Sequence, residues 1–157
     1  MDWHEYFNNI VKEVSKKSKD TSTKVGCYIV NKNNELVSSG FNGWVSGCDE
    51  KLMTWEKPLK YEMVIHAEMN ALIFAKQSLK GCVVYCTHGP CANCLKHLLQ
   101  AGIREIFYNC PGIMRDRGSD LEKEAVKRLI LSTNAKVFNV NNETLYIEEL
   151  NHKKIKK

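Results

Sequence analysis

Trp3, Tyr6, Phe7, Ile10, Val11 and Val14 recur at i, i+3, i+4, i+7, i+8 and i+11. That spacing predicts an amphipathic helix at the start of the chain. Asp2 is placed to cap it, and Lys16, Lys17 and Lys19 suit its C-terminal end. Residues 25–30 and 36–41, on either side of the turn NKNNE, predict a β-hairpin. Periodicity then vanishes over 42–60, where two Gly, two Trp and a Pro mark a long loop of the kind that carries function. Residues 61 to about 78 read as a helix that is apolar nearly all round, hence buried. Residues 82–86 and 103–108 are predicted strands. Between them a helix starts near Pro90 and stops at Ala101-Gly102. After a loop over 109–119, a helix over about 120–132 is expected to bury Leu121, Ala125, Leu129 and Ile130. Residues 137–140 and 145–147 are short strand candidates.

Alternating strands and helices after an opening hairpin predict an α/β fold with a mixed sheet and helices on its faces. The chain has 157 residues, 43% hydrophobic and 26% charged, which suits one folded domain and excludes a disordered or low-complexity chain. That domain is expected over residues 1–150, with 151–157 as a basic, solvated C-terminal tail. No apolar run reaches the length of a membrane span, and the first residues do not read as a secretory leader. Seven Cys in no secreted pattern favour a reducing compartment, so a cytoplasmic protein is expected. The net charge of +5 permits an anionic partner without specifying one.

Two fragments carry chemistry: His66-Ala67-Glu68, and Pro90-Cys91-Ala92-Asn93-Cys94. Cys91 and Cys94 are spaced to share one helical face, and a helix N-terminus favours their thiolates. With His66 they make a Cys2His set, which for zinc leaves the fourth position to water. Glu68 is then better placed beside that water, to accept and deliver protons, than on the metal. A CxxC alone serves equally as a redox pair or half of a structural zinc knuckle. Together, HxE and PCxxC form the signature of zinc-dependent base deamination. Cys27, Cys82, Cys86 and Cys110 read as small core residues. His88 reads as a pocket-lining group or a further ligand.

At this point the chain resembles the deoxycytidylate (dCMP) deaminases of the zinc-dependent cytidine deaminase superfamily, phage-type members included. The matching pieces are TSTKVGCYIV at 21–30, SGFNGWVSG at 39–47, HAEMNAL at 66–72 and THGPCANCLKHLLQAGI at 87–103. The resemblance implies a three-layer α/β/α fold around a mixed sheet of about five strands. It implies zinc on His66, Cys91 and Cys94, with Glu68 as the catalytic proton shuttle. It places Asn42 near the substrate's sugar, with Lys24, Ala67 and His88 in the substrate pocket. It also implies a regulatory triphosphate site at Phe41, Asn42, Gly43, Gly47, Asp49 and Glu50, with Mg2+, dCTP as activator and dTTP as inhibitor in a homohexamer. The loop NCPGIMRDRG departs from the family, which usually has an aromatic there. Met114 is a candidate to replace it, and Arg115 or Arg117 to meet the phosphate.

The expected reaction is hydrolytic deamination of dCMP to dUMP and ammonia. The alternatives are a deaminase acting on a base in RNA or DNA, one acting on a free nucleoside or base, and a structural-zinc module. A stable nucleic-acid complex is not expected, because no aromatic-basic stripe is visible. A structural site would require a fourth close ligand and has no use for Glu68.

Overall fold

The computed structural model describes the backbone of residues 1–155 and the side chains through Asn151. Among the described residues six α-helices form: α1 (Trp3–Ser15), α2 (Leu59–Met63), α3 (Ala67–Phe74), α4 (Ala92–Gln100), α5 (Asp120–Thr133) and α6 (Tyr146–Ile155). Six strands join them: β1 (Gly26–Val30), β2 (Leu36–Phe41), β3 (Val83–Cys86), β4 (Glu105–Tyr108), β5 (Lys136–Asn139) and β6 (Thr144–Leu145). The strands make one sheet in the order β2-β1-β3-β4-β5-β6. The β3–β4 and β4–β5 pairs are parallel and the others antiparallel, so the sheet is mixed as expected, with one strand more.

Strand side chains alternate between faces, and the two cores follow that alternation. Cys27, Ile29, Val84, Cys86, Ile106, Tyr108 and Val137 pack with α3, α4, α5 and Tyr146 of α6. Val30, Val83, Tyr85 and Phe107 pack on the other face against Phe7 and Val11 of α1. These are the three layers. Asp2 caps α1 by accepting from the Glu5 N–H at 2.8 Å. Phe7 and Val11 of α1 are buried on the sheet, with His4 and Ile10 against the same core, while Trp3 and Tyr6 of the predicted stripe stay exposed.

Four local expectations change. The predicted long helix over 61–78 is two helices, α2 and α3, interrupted where Ile65 exchanges backbone hydrogen bonds with Gly43. Nor is α3 buried all round: Ala67, Glu68 and Ala71 face inward while Ile73 and Phe74 are exposed. On α5, Val126 and Ile130 are buried, whereas Leu121 is 85% exposed and Ala125 is exposed. The inward line is 122, 126 and 130, because Glu122 turns toward Arg115. Finally, residues 146–147 do not extend β6 but begin α6, whose backbone runs through Ile155 into the supposed tail. Lys156 and Lys157 lie outside the described residues.

Seven thiols are free, with Cys27, Cys82 and Cys86 buried in the core and Cys110 half-buried. No helix among the described residues is long and apolar enough to cross a membrane.

One close approach fixes the helix that leads into the site. A Cβ at Gly40 would stand 2.6 Å from both the Ala67 carbonyl and the Ala71 nitrogen. Gly40→Ala is expected to cost about 1–3 kcal/mol by forcing α3 off β2. A fall in Tm together with reduced turnover is the expected reading; an unchanged Tm would show that α3 is free to shift.

Candidate active site

Two helix starts converge. His66 is the N-cap residue of α3, held extended because Ile65 before it is pinned to Gly43. Cys91 is the N-cap residue of α4, and its sulfur accepts from the Cys94 N–H at 3.5 Å. The His66 Nδ1 lies 3.5 Å from the Cys91 sulfur and 3.3 Å from the Cys94 sulfur. A tetrahedral centre with Zn–N near 2.0–2.1 Å and Zn–S near 2.3 Å sets such edges at about 3.5 Å. The three ligand atoms lie within 4.8 Å of one another. The donor set therefore fits zinc, with Nδ1 as the imidazole donor.

The electrostatics suit a metal site. The Cys91 thiol is held down to about 3, first by the hydrogen bond from Cys94 and then by that from His66. Cys94 is driven up because its proton serves the Cys91 bond. The Cys91 contact likewise raises His66. Glu68, in the first turn of α3, is buried beside the three ligands but outside their cluster. Burial pushes its carboxyl above the usual range, against the opposing pull of its own N–H and of His66. A carboxyl raised in this way can hold a proton as well as release one.

These groups open onto a cavity of about 370 Å³. Asn42, Ala67, His88 and Arg115 of the predicted substrate residues line it. Burial lowers the His88 pKa, so its imidazole favours the neutral form. Lys24 and Arg117 are exposed and stand outside the lining. The neighbours Thr23 and Val25 line the cavity in place of Lys24, as alternation along an extended segment requires. Asn42 is buried, and both its amide hydrogens are engaged, with Asp20 at 3.1 Å and the Thr23 carbonyl at 3.0 Å. Its Oδ1 accepts from the Val25 N–H at 2.8 Å. Met114 is buried and packs over Gly89, where any Cβ would overlap it. Arg115, with φ of 59°, donates from Nε and Nη2 to the Glu122 carboxylate at 2.8 and 2.7 Å.

The predicted regulatory residues fall in a second, larger groove of about 770 Å³. Phe41, Asn42, Gly43, Gly47 and Glu50 line it; Asp49 does not, and instead caps the turn Glu50–Leu52. Glu50 pairs with Lys19 at 2.9 Å. Trp44 and Trp55 stack at 3.8 Å in its wall.

Two groups of residues escaped the sequence reading. Asp20 and Lys60 are buried and paired at 2.7 Å beside Asn42. Asn139 and Glu149 form a clamp: the Asn139 amide donates to the Cys110 and Gly112 carbonyls and to Glu149, fixing the loop that leads to Met114 and Arg115. No motif spacing marked either group; a buried charge shows itself only once the fold is known.

Known proteins agree with this geometry. The family profile described as the cytidine and deoxycytidylate deaminase zinc-binding region matches residues 1–110. The deoxycytidylate deaminase of Mus musculus is 36% identical over 137 residues, covering 83% of this chain and 74% of the mouse protein. An uncharacterised deaminase of Aliivibrio fischeri is 41% identical over 109 residues, 69% of this chain and 72% of that one. Among solved structures, the dCMP deaminase of cyanophage S-TIM5 in complex with dCMP and dUMP matches with a TM-score of 0.66 and 26% identity, over 87% of this chain and 96% of that one. The chain belongs to the zinc-dependent cytidine and deoxycytidylate deaminase family. Within it, this protein is a hydrolytic deaminase acting on a cytidine- or dCMP-like substrate.

Proposed function

We propose that the protein converts dCMP and water to dUMP and ammonia. The observation that carries this reading is the His66–Cys91–Cys94 cluster beside a buried Glu68. His66, Cys91 and Cys94 would hold zinc, which when bound acidifies a water and so supplies the nucleophile near neutral pH. Glu68 accepts the water's proton and delivers it to ring N3 as C4 is attacked. It then takes the proton of the new C4 hydroxyl and passes it to the amino group, which leaves as ammonia. Ala67, Asn42 and His88 shape the cavity around base and sugar. The seven free thiols support a reducing, cytoplasmic setting.

The test is ammonia release by the zinc-loaded protein from dCMP, dCTP, deoxycytidine, cytidine and a tRNA substrate. dCMP should give the highest kcat/KM; a preference for tRNA or for a free nucleoside would replace this reading.

We further propose that Arg115 contributes to phosphate recognition, since it lines the cavity and Arg117 does not. Arg115→Ala should reduce kcat/KM on dCMP by roughly tenfold and leave deoxycytidine nearly unchanged. Arg117→Ala should change neither. Equal loss on both substrates would assign Arg115 a purely structural role with Glu122.

Regulation by dCTP and dTTP in a hexamer is proposed for the larger groove. Its support is the family resemblance, the stacked tryptophan pair and the two cations Lys17 and Lys19 in its lining. The engagement of Asp49 in a cap and Glu50 with Lys19 means that a Mg2+ role requires Glu50 to exchange Lys19 for the ion. dCMP saturation curves with each triphosphate, with and without Mg2+, together with the mass by light scattering, test this. Unchanged curves and no dTTP binding by calorimetry would remove regulation and leave the deaminase reading standing.

A further inference from the structure

The cavity that holds Glu68 and the metal ligands is also lined by Lys57, Lys60 and Asp20. Lys60 is 6% exposed and Asp20 2%. Burying an ammonium is costly unless its donors are satisfied. Lys60 gives one hydrogen to Asp20 Oδ2 at 2.7 Å and sits over the Trp55 ring at 5.7 Å. An ammonium has three donors, and among the described residues no acceptor takes the rest. Asp20, by contrast, is saturated. Its Oδ1 accepts from the Ser22 and Thr23 N–H groups at 2.8 and 3.1 Å. Its Oδ2 accepts from Asn42 at 3.1 Å as well as from Lys60. The carboxylate's charge is thus shared among four donors and only partly offsets Lys60. Three residues earlier, ahead of α2, Lys57 is exposed at the rim and has no carboxylate partner among the described residues. The third cation of the cavity, Arg115, is already paired with Glu122.

We propose that Lys57 and Lys60 form an anchor for the substrate's phosphate, with Lys60 donating from inside the cavity and Lys57 from its rim. Asp20 is the positioning residue: it orients the Lys60 ammonium and, through the same oxygen, the Asn42 amide. This inference rests on the nucleotide-deaminase reading and adds two lysines to Arg115 as residues that distinguish nucleotide from nucleoside. Anion and ammonium meet where water is partly excluded, so each charge-assisted bond is stronger than at an open surface.

The experiment measures binding rather than turnover. Calorimetry of dUMP and of deoxyuridine is run on the zinc-loaded wild type, on Lys57→Ala, and on Asp20→Asn/Lys60→Met. The paired variant removes both buried charges together, so no uncompensated ion remains, and a thermal melt confirms that it folds. The wild type should prefer dUMP. Lys57→Ala should weaken dUMP by roughly tenfold with deoxyuridine within about twofold, and the paired variant should weaken dUMP by roughly a hundredfold and deoxyuridine by far less, the smaller loss coming from Asn42 released by Asp20. No dUMP preference in the wild type, equal losses on both ligands, or no loss from Lys57→Ala overturns the anchor. If the paired variant does not fold, Lys57→Ala alone decides. Failure of the deaminase reading shows separately, as selective dUMP binding without ammonia release from dCMP.

Discussion

Cys91→Ser is expected to lose its zinc and about 10³-fold or more in kcat/KM, because the serine hydroxyl is a poor ligand and the nucleophile is no longer supplied near neutral pH. The same change should lower Tm. Cys91 begins α4 and His66 begins α3, so the ion would tie two helix starts that are otherwise joined by sulfur–imidazole contacts of 3.3–3.5 Å. Elemental analysis should find one zinc per chain in the wild type and little in the variant. A chelator should lower the wild-type Tm toward that of the variant. Full activity without bound metal, or two equivalents of zinc per chain, would refute the assignment.

Glu68→Gln is expected to keep the metal and lose at least about 10²-fold in kcat, since an amide cannot move protons between water, ring N3 and the leaving amine. The fold should survive, because glutamine matches the volume of a side chain that is 4% exposed, and burial already favours its neutral form. The decisive comparison is zinc content. Loss of metal as complete as in His66→Ala would make Glu68 a ligand and remove the shuttle. Retained metal with retained kcat would pass the proton transfers to another group, with His88 an alternative in the cavity lining.

The chemistry was legible in the sequence because it sits on short-range spacing. A Cys-x-x-Cys pair needs only one helical start to bring its sulfurs together, and the HAE fragment needs only one more. The hairpin and the strands were legible for the same local reason. What was not legible depends on partners far along the chain. The break between α2 and α3 is set by Gly43, from a loop that shows no periodicity. The inward face of α5 is one residue away from the apolar pattern because a polar residue, Glu122, takes the inward place to hold Arg115. The start of α6 carries Tyr146 and Ile147, which favour strands locally and directly follow the strand residues Thr144 and Leu145. Tyr146 and Leu150, one turn apart, instead pack into the core from a helix. Asp20 and Lys60 look like ordinary surface charges until the fold brings these distant positions together.

The loop that carries Met114 and Arg115 lies beyond the stretch matched by the family profile, and it is pinned from further along still, by Asn139 and Glu149. The metal ligands and Glu68 lie wholly within that stretch. The reacting groups therefore lie in the first two thirds of the chain, while one stretch of the cavity wall, the one that carries Arg115, is supplied and held by the last third. Drift in the last third can alter that stretch of wall while the metal ligands and Glu68 stay as they were. A relative with an identical HAE and PCxxC therefore offers no guarantee of the same substrate.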